Sequence, residues 1–82
     1  MNHLHLIEEE LQQAAEIIIS YKMASVSLLQ RRMDIPYNKS AELMEGLEAA
    51  EIVGPFEGKQ MRKLLVSNPT EARSRIKNLL KK

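Results

Sequence analysis

The chain contains no cysteine. That excludes disulfide staples and thiolate metal sites, leaving helix packing to supply the stability. Nothing argues for an oxidising compartment, so a cytoplasmic protein is the simplest expectation. Long apolar runs are missing too. No stretch approaches the roughly 20 residues of a membrane span, and Met1 is followed by an acidic amphipathic stretch, unlike the basic and apolar start of a signal segment. The expectation is a soluble, unexported chain without a membrane partner. A phosphate-cradling Walker A loop ends in Gly-Lys followed by Ser or Thr. Gly54-Pro55-Phe56-Glu57-Gly58-Lys59-Gln60 has the wrong spacing and the wrong last residue. Asp34 and the glutamates form no recognisable acid–base pair. The reading is therefore no ATPase, no other enzyme, no cofactor and no small-molecule substrate. His3 and His5 stand at i, i+2, which does not put them on one helix face, so no metal site is expected.

What is present fits one compact domain: 82 residues, 44% hydrophobic and 28% charged. The formal net charge of +1 divides unevenly along the chain. Residues 1–22 carry Glu8, Glu9, Glu10 and Glu16 against Lys22, whereas the remainder has eleven Lys and Arg against seven acids. Basic character beyond the first helix suits a polyanion on one side of the molecule.

Ile7, Leu11, Ala14, Ile18 and Tyr21 recur at helical spacing and predict an amphipathic helix over residues 4–21. Residues 23–25 read as a short strand. Ser25 then offers a hydroxyl N-cap to a second helix over 26–33, buried through Leu28, Leu29 and Met33. Asp34, Ile35 and Pro36 break it, and Pro36 marks the start of a third helix running to about residue 50. Leu43, Met44, Leu47 and Ala50 give that helix a core face, with Ala41 small enough for close packing. Asn38, Glu42, Glu45 and Ala49 form the opposite stripe, flanked by Lys39. Ile52-Val53 and Lys63-Leu64-Leu65-Val66, separated by Gly54, Pro55 and Gly58, predict two short strands around a loop. Asn68, Pro69 and Glu71 predict the start of a last helix, basic and amphipathic, with Ala72, Ile76, Leu79 and Leu80 on its apolar side. The fold class is thus mostly α with a small β wing. It is a winged helix-turn-helix over residues 1–66 plus an extra C-terminal helix over 67–82.

The runs Ala24-Ser25-Val26-Ser27-Leu28-Leu29-Gln30-Arg31-Arg32, Ile35-Pro36-Tyr37-Asn38-Lys39, Leu43-Met44, Leu47-Glu48 and Ile52-Val53-Gly54-Pro55 resemble the C-terminal gamma domain of FtsK/SpoIIIE DNA translocases. The resemblance covers about residues 10–66. It implies a winged helix that recognises short G-rich orienting sequences in DNA. Where the family usually has Ile-Gly-Tyr-Asn-Arg-Ala-Ala-Arg, this chain has Ile35-Pro36-Tyr37-Asn38-Lys39-Ser40-Ala41-Glu42. Asn38 and Glu45 match groove-facing positions of the family and Lys39 keeps the charge, but Glu42 replaces a basic residue. Arginine pairs with guanine O6 and N7, which repel a carboxylate, whereas cytosine N4 donates to one. The G-rich target therefore does not carry over. In the wing the usual Gly-x-Lys-Pro-Arg-x-Val-Leu has become Gly58-Lys59-Gln60-Met61-Arg62-Lys63-Leu64-Leu65, which keeps the glycine and the positive charge.

The expected partner is double-stranded DNA. Asn38, Lys39, Glu42 and Glu45 would read bases, and Arg31, Arg32, Tyr37, Ser40, Lys59 and Arg62 would hold the backbone. The setting implied is a bacterial or phage regulator of transcription or an accessory factor associated with the nucleoid. Met1 and the C-terminal helix favour a stand-alone protein over a piece of a translocase. The alternative is a protein-interaction module whose acidic third helix has exchanged DNA for a basic partner protein. The apolar side of the C-terminal helix adds the expectation of a homodimer formed through that helix, the alternative being that it folds back onto its own first helix and completes the core.

Overall fold

A computed structural model describes residues 8–58 and 61–81. His3, His5, Lys59 and the first turn of the expected N-terminal helix lie outside the described residues. Among the described residues four helices and two two-residue strands follow in order: α1 Glu8–Tyr21, β1 Ala24–Ser25, α2 Val26–Met33, α3 Tyr37–Ala49, β2 Met61–Arg62 and α4 Pro69–Leu80. This is the winged helix with an added C-terminal helix that the patterning predicts.

Leu11, Ala14, Ala15 and Ile18 bury one face of α1. Tyr21, expected on that stripe, is 44% exposed. The helix closes at this point: Lys22 adopts φ 53°, and the amides of Lys22 and Met23 donate to the carbonyls of Ile19 (3.2 Å) and Ile18 (3.1 Å). This paired closure needs a left-handed residue. The Tyr21 ring lies under the Arg32 guanidinium, 5.0 Å from its centroid, a cation–π contact between α1 and α2.

Ser25 caps α2, its hydroxyl accepting the Leu28 amide at 3.3 Å, and Asp34 ends the helix at φ 55°. Pro36 is the N-cap of α3, one residue earlier than a first helical position, and contributes no side-chain hydrogen bond. The far end of α3 repeats the closure of α1. Glu51 takes φ 64°, and the amides of Glu51 and Ile52 donate to Glu48 and Leu47, each at 2.9 Å.

That closure explains why the first arm of the wing is not a strand. The Ile52 amide is spent on α3 instead of on Leu65, so the two predicted strands meet only at the bridge Val53↔Leu64. Gly54 donates to the Lys63 carbonyl (2.8 Å) and Leu65 to the Ile52 carbonyl (2.9 Å). Regular pairing lies further upstream, where β2 runs antiparallel to β1 with Ala24 opposite Arg62 and Ser25 opposite Met61. Gly58, at φ 80°, makes the wing's turn in a region that side chains rarely adopt.

Leu11, Ile18, Leu29, Leu43, Met44, Leu47, Ile52 and Ile76 are fully buried and form the centre of the core. Each such side chain stabilises the fold by about 1.5–3 kcal/mol relative to exposure. Ile76 comes from α4. Asn68 Oδ1 accepts the amides of Thr70 (2.7 Å) and Glu71 (3.4 Å), capping this helix as the sequence predicts. Ala72 and Ile76 are buried, and Leu79 and Leu80 pack against the same core. Arg75 donates to the Glu51 carbonyl at the end of α3 and pairs with Glu71 at 2.8 Å. The Gln12 amide donates to the Arg73 carbonyl at 3.4 Å. The apolar side on which self-association was expected is therefore consumed within the chain, against α1 and the end of α3. No helix among the described residues is long and apolar enough to cross a membrane.

Candidate nucleic-acid interface

A polar contact joins the two helices of the helix-turn-helix beside their shared apolar core. Ser40 has no exposed surface, and its hydroxyl donates to the Val26 carbonyl at 2.8 Å. Ser40 lies on the core side of α3 with Leu43, Met44 and Leu47, so this hydrogen bond fixes the start of α2 against the first turn of α3. The backbone contact expected of Ser40 is corrected on this ground: its one hydroxyl is committed, and no part of it reaches the surface.

On the outward side of α3 the expected stripe is present. Asn38, Glu45 and Ala49 are exposed and Glu42 is half-buried. Asn38 sits in the first turn without capping it, since α3 begins from Pro36 with no side-chain cap. Tyr37 is 61% exposed and stands at the mouth of a groove. This groove has a volume of about 610 Å³ and lies between α2, α3 and the wing, lined among others by Ser27, Gln30, Tyr37, Ala41, Glu45 and Phe56.

The expected cations are placed unequally. Arg31 is exposed at the end of α2, and Arg32 is exposed with its guanidinium over Tyr21. Both complement the negative end of the α2 dipole. Lys39 is drawn toward α1, with Nζ 2.8 Å from a carboxylate oxygen of Glu10. Arg62 turns inward: its side chain is 14% exposed and its guanidinium lies 2.6 Å from Glu48. Lys63, beside it, is exposed. Lys59 lies outside the described residues. Asn38, Glu42, Glu45 and Tyr37 thus reach the surface of α3, Arg31 and Arg32 are exposed at the end of α2 with Arg32 facing α1 through Tyr21, and Lys39 and Arg62 are diverted into ion pairs.

Glu10, Glu48 and Phe56 were not singled out in the sequence. Glu10 and Glu48 acquire their roles through partners 29 and 14 residues away, a separation at which helical periodicity carries no signal. Phe56, at 66% exposure, is the most exposed large apolar side chain described. An aromatic inside a Gly-Pro loop was the one available cue to it. No group of three or more potential metal ligands occurs among the described residues.

A family model described as the Ftsk gamma domain matches residues 7–67. The chain belongs to this family. It is similar to the DNA translocase SpoIIIE of Bacillus subtilis, with 40% identity over 65 residues that cover 79% of this chain and 8% of that protein. The DNA translocase FtsK of Oceanobacillus iheyensis is 47% identical over 58 residues, 71% of this chain and 7% of that protein. The corresponding figures for the DNA translocase FtsK of Chlamydia pneumoniae are 42%, 59 residues, 72% and 7%. The chain thus spans under a tenth of the length of these relatives. No solved structure matches it. The family match ends before α4, whose Ala72 and Ile76 nonetheless share the core with α1 and α3.

Proposed function

We propose that the chain is a sequence-specific reader of double-stranded DNA which places α3 in the major groove and α2 across the phosphate backbone. The observation that carries this reading is the outward stripe of α3. It brings Asn38, Glu42 and Glu45 to the surface, in a chain of the gamma-domain family whose relatives are named DNA translocases. Arg31, Arg32 and Lys59 neutralise phosphates, while Asn38 and the two glutamates meet base edges. Asparagine pairs with adenine N6 and N7, and a carboxylate accepts from cytosine N4. The carboxylate of Glu42 suits cytosine where the arginine of the family pattern suits guanine. The role is that of an accessory or regulatory factor acting on DNA in the nucleoid.

One observation favours a second reading. Glu42, Glu45 and Glu48 place three acids on the surface side of α3, while Lys39 is paired with Glu10, a surface that also suits a basic protein partner. Selection from a random duplex library, followed by binding at several salt concentrations, separates the two. A reader of DNA yields an enriched sequence and an affinity that falls steeply with salt, because phosphate neutralisation releases counterions. A protein-interaction module yields neither.

A further inference from the structure

We infer that Arg62 is a positioning residue, which holds the wing at a set distance from α3 through Glu48, and not a ligand of the DNA backbone. This rests on the DNA-reading function proposed above. Arg62 belongs to β2 and Glu48 to the last turn of α3. Arg62 Nη1 lies 2.6 Å from Glu48 Oε1 and donates at 3.5 Å to the carbonyl of Gly54, in the first arm of the wing. One guanidinium therefore joins β2, α3 and the opposite arm. Both bonds leave from Nη1, whose two N–H groups serve one acceptor each.

Burial assigns the two ends of the pair different roles. The Arg62 side chain is 14% exposed and that of Glu48 43%. A phosphate ligand keeps its charged head toward solvent, whereas this side chain is mostly buried and its head is held by Glu48. Between the arms themselves the bridge Val53↔Leu64 and the amides of Gly54 and Leu65 are all the pairing described, while Ile52, Val53 and Val66 are anchored in the core and β2 is paired with β1. So short a ladder is marginal alone. Arg62 also lines the groove between α2, α3 and the wing, together with Tyr37 and Glu45. The ion pair thus sets the width of the opening through which a DNA strand passes when α3 enters the major groove.

The test uses Glu48→Gln and Arg62→Gln in the full chain, with two readouts. The first, amide hydrogen exchange, needs no DNA: both variants should lose about tenfold protection at Gly54 and Leu65 while the amides of Leu29 and Leu43 keep theirs, as expected for a local opening. Glu48 is exposed enough that its amide variant folds even if Arg62→Gln does not. The second readout is binding to the selected duplex and to scrambled DNA. Both variants should lose several-fold discrimination between the two, with the salt slope of Arg62→Gln unchanged. Unchanged protection at Gly54 in Glu48→Gln overturns the inference. So does a salt slope reduced by about one unit in Arg62→Gln with tighter binding by Glu48→Gln, the pattern of a phosphate ligand freed from a competitor. If protection falls but no duplex is bound, the positioning role stands and the DNA-reading function fails.

Discussion

Ser40 and Val26, 14 residues apart, are joined by a 2.8 Å hydrogen bond from a fully buried hydroxyl to a backbone carbonyl. This contact fixes α2 against α3 and turns a candidate DNA ligand into a structural element. Ser40→Ala removes the bond and should cost about 0.5–1.5 kcal/mol of stability. In chemical denaturation the midpoint shifts down, and at a concentration where the variant is folded its affinity for DNA stays within twofold of the original. A large affinity loss in the folded variant would return Ser40 to the interface.

Arg31 and Arg32 stand side by side at the end of the helix assigned to the phosphate backbone. Alanine at either position should weaken binding to all duplexes alike and lower the salt slope by about one unit. Arg32→Ala also removes the cation over the Tyr21 ring, so it alone should lose a further ~0.5–1 kcal/mol of stability. Urea unfolding beside the salt titration separates the two effects, and equal stability of both variants contradicts the assignment of that contact.

The C-terminal helix is an integral part of the core. A chain ending at Val66 loses buried Ala72 and Ile76 and the hydrogen bond from Arg75 to the Glu51 carbonyl. Loss of an Ile-sized buried group alone costs about 2–5 kcal/mol, a large share of what a domain of this size has to lose. The shortened chain should be unfolded or molten by circular dichroism, and the full chain monomeric by light scattering. A folded, stable shortened chain would make α4 an appendage and reopen its use for self-association.

Lys22 and Glu51 close α1 and α3 at positive φ without being glycine. A side chain in that conformation is strained, so Lys22→Gly should raise stability by roughly 0.5–1 kcal/mol. An unchanged or lower midpoint in urea would show that the lysine side chain contributes more than the strain costs.

Much of this architecture was legible in the residues because it is local. Ser25 and Asn68 are cap residues standing immediately before apolar helical repeats, and both caps form as the spacing predicts. The outward stripe of α3 followed from period alone. What periodicity could not deliver were choices made between distant segments. Ser40 stands three, four and seven residues before Leu43, Met44 and Leu47, so period alone placed it on the core face, and only its partner, the Val26 carbonyl, depended on the crossing of two helices. Whether Arg62 and Lys39 were available depended on Glu48 and Glu10 in other elements. The wing was half legible: Gly54, Pro55 and Gly58 marked the loop, but the closure of α3 claimed Ile52 and moved the regular pairing to β1. The destination of the apolar side of α4 was undetermined for the same reason, since a stripe can be covered by its own chain or by another.

The account stands or falls on α3 as a reader of bases, and Asn38 tests this most directly. It is exposed, lies in the first turn and caps nothing, so its removal should leave the fold intact. Binding of the unmodified chain and of Asn38→Ala is to be measured on the duplex enriched from a random library and on a scrambled duplex of equal length. The account predicts a loss of about 1–3 kcal/mol on the selected site with scarcely any change on the scrambled one, the mark of a lost base contact. An equal loss on both duplexes, or none on either, would contradict it.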